Sequence, residues 1–213
     1  MLGDPPNGAS GAPATAMSQP AVTLASASPR RTLLLAQIGV RHVVRPADVD
    51  EAPRAGEPAE AYTERLAAAK AAAVWCADPS LPVLAADTAV VLGQELFGKP
   101  ADLNECLRML NALAGRTHRV LTAVTVRSAA GEHRALSVSE VTLRPLAPGE
   151  AERYWATGEP CGKAGGYAIQ GLGATLVSRL HGSYSGVMGL PLAETAALLA
   201  RHGVGIWNTE VAA

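Results

Sequence analysis

Apolar positions along this chain switch between spacings of two residues and of three to four, and the switches mark out alternating strands and helices. A short run from Ala21 to Ala25 predicts a strand. "ASASPRRTLLLAQIGV" then predicts a helix, with Ser28 suited to the N-cap, Pro29 to the first helical position, Leu34 and Ile38 one turn apart, and Gly39 a left-handed stop. A strand over 40–44 leads into an acidic loop with Asp48, Asp50 and Glu51. The next helix runs from about Pro58 to Cys76, its apolar stripe made by Tyr62, Leu66, Ala69 and Ala73, with Lys70 on or beside that stripe.

"LPVLAADTAVVLG" is an apolar run of strand length, the kind found in a sheet covered on both faces. "ADLNECLRMLNALAG" predicts a helix capped by Asp102 and Glu105, with Leu103, Leu107 and Leu110 inward and Gly115 ending it. Two strands, about Arg119–Arg127 and Arg134–Leu143, are joined by a turn at Gly131. "GEAERYWATG" predicts a short helix, "GGYAIQG" and "ATLVSRLHG" look strand-like, and a last helix runs from about Pro191 to His202. The hairpin at 119–143 makes the expected sheet mixed, in an α/β fold.

Composition narrows what this fold does. With 48% hydrophobic and 17% charged residues, 213 residues can bury one substantial core. Lys and Arg number 18 against 19 Asp and Glu, so no net basic field draws in nucleic acid, and any anion site must be local. No stretch approaches 18 uninterrupted apolar residues, and the first residues lack the pattern of a secretory leader, so a cytoplasmic protein that spans no membrane is expected. Cys76, Cys106 and Cys161, odd in number and without a C-x-x-C pair, fit a reducing compartment. Residues 1–20, rich in Gly, Ala, Pro and Ser, read as a disordered extension before one folded unit over 21–207, with 208–213 as a tail.

Two features sit badly with a purely structural role. Arg30 and Arg31 occupy the first turn of a helix, where the dipole disfavours cations by roughly 0.3–1 kcal/mol each. An anion bound there reverses that cost, and Ser26 and Ser28 add donors at the same strand-to-helix turn. The bland alternative sends both side chains to solvent or to the acidic loop at 48–51. Asp87 is the second misfit, a carboxylate among Ala85, Ala86, Ala89 and Val90 that needs a cation, a metal or a wet cleft, unless it caps a turn at the strand's end.

Other signals are weaker. Gly93, Gly98 and Lys99 have P-loop spacing, but Pro100 stands where the metal-binding hydroxyl is required, so Lys99 remains only as a lone phosphate-reaching cation. Gly182 to Gly186 resembles a nucleophile elbow, yet its centre is Tyr184. Lys70, Glu51, Lys163 and Gln170 are unremarkable taken singly, and the five histidines form no cluster along the chain.

Taken together, Ser26 to Arg31, Ala86-Asp87-Thr88, Gly98-Lys99-Pro100, Gly115 to His118, Lys163 to Gly171 and Gly182 to Leu192 resemble the Maf family of nucleoside triphosphate pyrophosphatases, over about residues 21–205. "GYAIQG" and "GSYSGVMGLPL" look most like its branch acting on dTTP and UTP, although Gly162 replaces an acidic residue frequent there. The resemblance implies an elongated fold related to the inosine triphosphate pyrophosphatases, a bent mixed sheet flanked by helices with a cleft between two lobes. It also implies Asp87 as catalytic base, Arg30, Thr88 and Gln170 in substrate selection, and Arg31, Glu51, Lys70 and Lys99 around phosphates and metal.

The expected reaction is hydrolysis between the α and β phosphates to a monophosphate and pyrophosphate, sanitising the nucleotide pool, with modified pyrimidine nucleotides as further substrates. Asp87 and Glu51 would bind a divalent cation, Mg²⁺ first and Mn²⁺ as the alternative, and Ser26, Ser28, Arg30, Arg31, Lys70, Thr88, Lys99, Lys163 and Gln170 would bind substrate. Two other readings stay open: a nucleotide-binding regulator of cell division and septum formation, and a pyrophosphatase for 7-methyl-GTP or other purine triphosphates. The partner expected is the nucleotide, with neither nucleic acid nor membrane, and a homodimer is left open.

Overall fold

A computed structural model describes residues 19–207. The expected extension falls outside the described residues except for Gln19 and Pro20, and the expected tail at 208–213 lies wholly outside them.

Seven strands form one mixed sheet: β1 (Val22–Leu24), β2 (His42–Val44), β3 (Val83–Leu92), β4 (Glu95–Phe97), β5 (Thr117–Ser128), β6 (Gly131–Leu143) and β7 (Val177–His181). The order across the sheet is β2-β1-β3-β5-β6-β7, with β4 pairing on β3. β1 runs parallel to β2 and β3, and the remaining pairings are antiparallel, so the sheet is mixed as the hairpin pattern predicts. The helices are α1 (Pro29–Gln37), α2 (Ala59–Ala77), α3 (Leu103–Leu113), α4 (Glu150–Ala156), α5 (Tyr184–Met188) and α6 (Leu192–Arg201).

Two large apolar clusters share this sheet. One gathers Val22, Leu24, Leu34, Leu35, Leu84, Val124 and Leu199; the other gathers Val90, Phe97, Cys106, Met109, Leu113, Val120 and Tyr154. Strands β3 and β5 run through both, and Asp87 and Thr88 lie between their contributions.

The edge of β3 explains why a cleft opens there. β5 covers one edge from Val83 to Val91. On the other edge, β1 pairs only with Val83 and Leu84, and β4 pairs only with Val90 to Leu92. Among the described residues, no strand pairs with 86–89 on that side. Neighbouring strand residues point to opposite faces, so Asp87 follows Val83 and Ala85 toward α2, whereas Thr88 follows Leu84 and Ala86. The gap lets both line one opening.

Several local expectations need correction. Ser28 occupies the N-cap position of α1, but its side chain makes no capping bond; its own amide donates to Ser26 Oγ at 3.2 Å. The buried face of α2 is Thr63, Leu66, Ala67, Lys70, Ala71 and Val74, not the Tyr62–Ala73 stripe, and Ala73 is exposed. In α3 the inward residues are Cys106, Met109, Leu110 and Leu113, while Leu103 is 38% exposed. Asp102 caps α3 by accepting from the Glu105 amide at 2.8 Å, and Glu105 reaches back to the Ala101 amide rather than to that of Asp102.

"GGYAIQG" is not a strand. Gly165 and Gly166 both have φ of 71°, a left-handed turn that breaks extended pairing. A Cβ on Gly165 would stand 3.0 Å from Val90 Cγ1, so the loop reaches the sheet only because that side chain is missing. In "ATLVSRLHG", a 3₁₀ turn over Leu172–Leu176 precedes β7, and only Val177–His181 is strand. The spacing rejected as a P-loop folds as the β3–β4 hairpin, and Ser183 caps α5 through the Gly186 amide at 2.9 Å.

Candidate active site

A cleft of about 520 Å³ opens at the β3 gap. Every residue singled out for chemistry lines it: Ser26 and Ser28 from the β1–α1 turn, Arg30 and Arg31 from the first turn of α1, Glu51 from the acidic loop, Lys70 from α2, Asp87 and Thr88 from β3, and Lys99, Lys163 and Gln170 from loops. Its charged lining consists of five cations and two carboxylates, on a chain whose formal net charge is −1. The positive field that the whole composition lacks is concentrated here.

The carboxylates share one ammonium. Lys70 Nζ donates to Asp87 Oδ1 at 2.7 Å and lies 2.6 Å from Glu51 Oε1, while Lys99 Nζ lies 3.9 Å from Glu51 Oε2. Asp87 and Lys70 are each 8% exposed. Loss of water raises the Asp87 pKa, outweighing the pull of Lys70 and Arg31, and the neighbouring Glu51 charge adds to the rise. Burial acts on Glu51 in the same direction, but Lys70, Lys99 and Arg31 together hold it below the ordinary carboxylate range. Tyr62, which sequence reasoning treated as core, donates its hydroxyl to the Glu51 carbonyl at 3.0 Å and fixes that loop.

The two arginines play different parts. Arg31 donates from Nε to the Gly189 carbonyl at 2.8 Å, from Nη1 to Ser26 Oγ at 3.0 Å and from Nη2 to Thr88 Oγ1 at 3.3 Å. Thr88 continues the chain to Thr122 at 3.0 Å, and Thr122 donates to the Gly186 carbonyl at 2.8 Å. Burial pulls the Arg31 pKa down to about 10, so it stays charged at neutral pH. Arg30 donates only from Nε, to the Met188 carbonyl at 3.1 Å, and among the described residues its terminal nitrogens have no protein partner. Both guanidiniums thus take up carbonyls at the end of α5, where a helix leaves acceptors unpaired.

Burial and the charge of Arg30, which lines the same cleft from α1, lower the Lys163 pKa. The Gly165 amide donates to the Gly98 carbonyl at 3.0 Å, joining the Lys163 loop to the Lys99 segment. Gln170 is exposed in the lining. Sequence reasoning missed Glu159 and Tyr154, which support the Gln170 segment from outside the cleft, and the His118–Tyr167 pair, whose Nε2 and hydroxyl lie 2.7 Å apart beneath it.

Donors converging on an anion, beside paired carboxylates, suit a polyphosphate and its hydrolysis. No helix of the described residues is long and apolar enough to cross a membrane. The chain matches relatives over most of their length. The chain is 50% identical over 192 residues to a protein of Cupriavidus metallidurans, covering 85% of this chain and 96% of the relative. It is 53% identical over 188 residues to one of Myxococcus xanthus, covering 87% and 94%, and 51% identical over 183 residues to one of Methylococcus capsulatus, covering 85% and 91%. Each of the three is named dTTP/UTP pyrophosphatase. The model of the Maf family, described as Maf-like protein, matches residues 21–202, which hold all the charged residues of the cleft, and the chain belongs to that family.

Proposed function

We propose that this protein hydrolyses nucleoside triphosphates, dTTP and UTP foremost, to the monophosphate and pyrophosphate in the cytoplasmic nucleotide pool, with residues 21–207 as the working unit. The observation that carries the reading is the cleft's five cations beside a carboxylate pair bridged by Lys70. A regulator that only binds nucleotide needs the cations and has no use for Asp87 with a raised pKa. The relatives' names favour pyrimidine triphosphates over 7-methyl-GTP.

Arg30, Lys99 and Lys163, with Arg31 behind them, neutralise the triphosphate, and Ser26, Ser28 and Thr88 complete its polar surround. Asp87 orients a water toward phosphorus of the α–β linkage and takes its proton as the new P–O bond forms. The bridging P–O bond breaks and its oxygen keeps the electron pair. Gln170 reads the pyrimidine edge, since one amide both donates and accepts.

The donors suit a divalent cation. Lys70 occupies Asp87 Oδ1 and Glu51 Oε1, which leaves Asp87 Oδ2 and a Glu51 Oε2 that only Lys99 approaches, at 3.9 Å, and Mg²⁺ is commonly held by one or two carboxylates with substrate phosphates supplying the rest. No group of three or more His, Cys, Asp or Glu side chains among the described residues makes a cage of its own. Asp87 and Glu51 would hold Mg²⁺ or Mn²⁺ that arrives on the nucleotide, and the ion would supply charge neutralisation at the phosphate oxygens.

The test is a substrate panel of dTTP, UTP, CTP, GTP and 7-methyl-GTP with Mg²⁺, read as pyrophosphate release, and repeated with Asp87→Asn. Release from dTTP and UTP, with turnover reduced at least 100-fold and nucleotide binding kept in the variant, is expected. Binding without release by the wild type overturns the reading.

A further inference from the structure

The segment 167–173 belongs to no strand; Tyr167 to Gln170 line the cleft, and Gln170 stands exposed near the segment's middle. Its backbone is held by a side chain outside the cleft lining. Glu159 Oε1 accepts from the Gly173 amide at 2.8 Å and from the Tyr154 hydroxyl at 2.7 Å, and Oε2 accepts from the Leu172 amide at 2.8 Å. The Tyr154 oxygen accepts in turn from the Ala168 amide at 3.1 Å. The chain is therefore pinned two residues before Gln170 and two and three residues after it.

The surroundings are built to this clamp. Tyr154 is buried on α4 within the second apolar cluster, so the phenol is a fixed post. A Cβ on Gly171 would overlap the Glu159 carboxylate, and one on Gly173 would stand 2.5 Å from the Tyr154 hydroxyl oxygen. Both glycines let the backbone close onto the pair. Without these bonds the segment's amides would turn to water, and a side-chain amide on a loose loop does not discriminate between bases.

We propose that Glu159, through Tyr154 and the Leu172 and Gly173 amides, is a positioning residue that sets base selection by fixing Gln170. This rests on the pyrimidine triphosphate reading above. A base is discriminated when a mismatch leaves a fixed polar group unpaired, and a mobile group escapes that penalty.

The experiment measures kcat and KM for UTP and CTP in wild type, Glu159→Ala, Glu159→Gln, Gln170→Ala and Glu159→Ala/Gln170→Ala, with melting temperatures alongside. In Glu159→Ala, KM for UTP is expected to rise at least 10-fold with kcat within about 3-fold, and the UTP/CTP ratio of kcat/KM to fall at least 10-fold. The double variant should lose no more selectivity than Gln170→Ala alone. Glu159→Gln keeps one acceptor oxygen and should fall between wild type and Glu159→Ala. If Glu159→Ala does not fold, Glu159→Gln decides.

A UTP/CTP ratio unchanged in the folded variant, or kcat lost equally for both nucleotides, overturns the clamp. Wild type that binds UTP without releasing pyrophosphate defeats the reading of the reaction instead, and the same ratio is then taken from dissociation constants. No binding of UTP by the wild type overturns both.

Discussion

Lys70 donates to Asp87 at 2.7 Å from the buried face of α2, and the same ammonium reaches Glu51 at 2.6 Å. One cation thus bridges two carboxylates at close quarters and favours the ionised form of each. Lys70→Met removes it, and Asp87 then faces burial and the Glu51 charge with only Arg31 to favour its ionised form. Its pKa rises further, so the acid limb of the kcat/KM profile is expected to move to higher pH by about one unit or more. An acid limb that stays in place would show that Asp87 titration does not govern the rate.

Arg30 and Arg31 separate binding from architecture. Arg31 satisfies Gly189, Ser26 and Thr88, and each bond to a charged donor contributes on the order of 1.5–3 kcal/mol. Arg31→Ala is expected to lower the melting temperature by at least about 9 °C as well as weaken binding. Arg30→Ala, which frees one carbonyl, should lower melting by roughly a third as much while raising KM for UTP by about 10- to 100-fold. Equal thermal losses in the two variants would contradict this division.

The sequence exposes the chemistry better than its supports. Arg30, Arg31 and Asp87 are visible because each breaks a local rule: cations at a positive helix end, a carboxylate inside an apolar strand. Lys70 is harder, because α2 is so rich in alanine that its periodicity does not single out one face, and the buried side is rotated from Tyr62 onto Thr63, Ala67 and Ala71. The stretch around Tyr167 reads like a strand, but two consecutive left-handed glycines, where a side chain would crowd Val90 and Cys106 far along the chain, turn it into a loop. Glu159 has no local signature at all, since its amide partners lie thirteen and fourteen residues away.

That loop gives a further expectation. Gly165 combines φ of 71° with a Cβ position 3.0 Å from Val90, and its amide holds the Gly98 carbonyl beside Lys99. Gly165→Ala adds left-handed strain of about 1–2 kcal/mol and pushes the loop off β3. Melting should fall by roughly 2–8 °C, and KM for UTP should rise because Lys99 and Lys163 lose their common anchor. Unchanged KM in the folded variant would mean that this backbone bond does not position the cations.

Acid stability depends on His118. It is 2% exposed, its Nε2 pairs with the Tyr167 hydroxyl at 2.7 Å, and its Nδ1 is buried without a partner. Burial favours the neutral ring and lowers its pKa to about 4, against about 6.5 in the unfolded chain. Between those values the unfolded state binds more protons than the folded one, so stability rises with pH. The contribution is complete above about pH 6.5 and is lost as pH falls toward 4, amounting to roughly 3 kcal/mol across that window. His202 shifts in the same direction, from burial and the nearby His133, and belongs to a separate cluster that leaves the comparison unchanged. His118→Gln should therefore melt lower at pH 7.5, having lost a buried ring and its hydrogen bond, but lose less on going to pH 4.5. The difference between the two proteins' pH-induced drops is expected to be roughly 4–10 °C. Equal drops would place the acid sensitivity elsewhere, in the carboxylates common to both proteins.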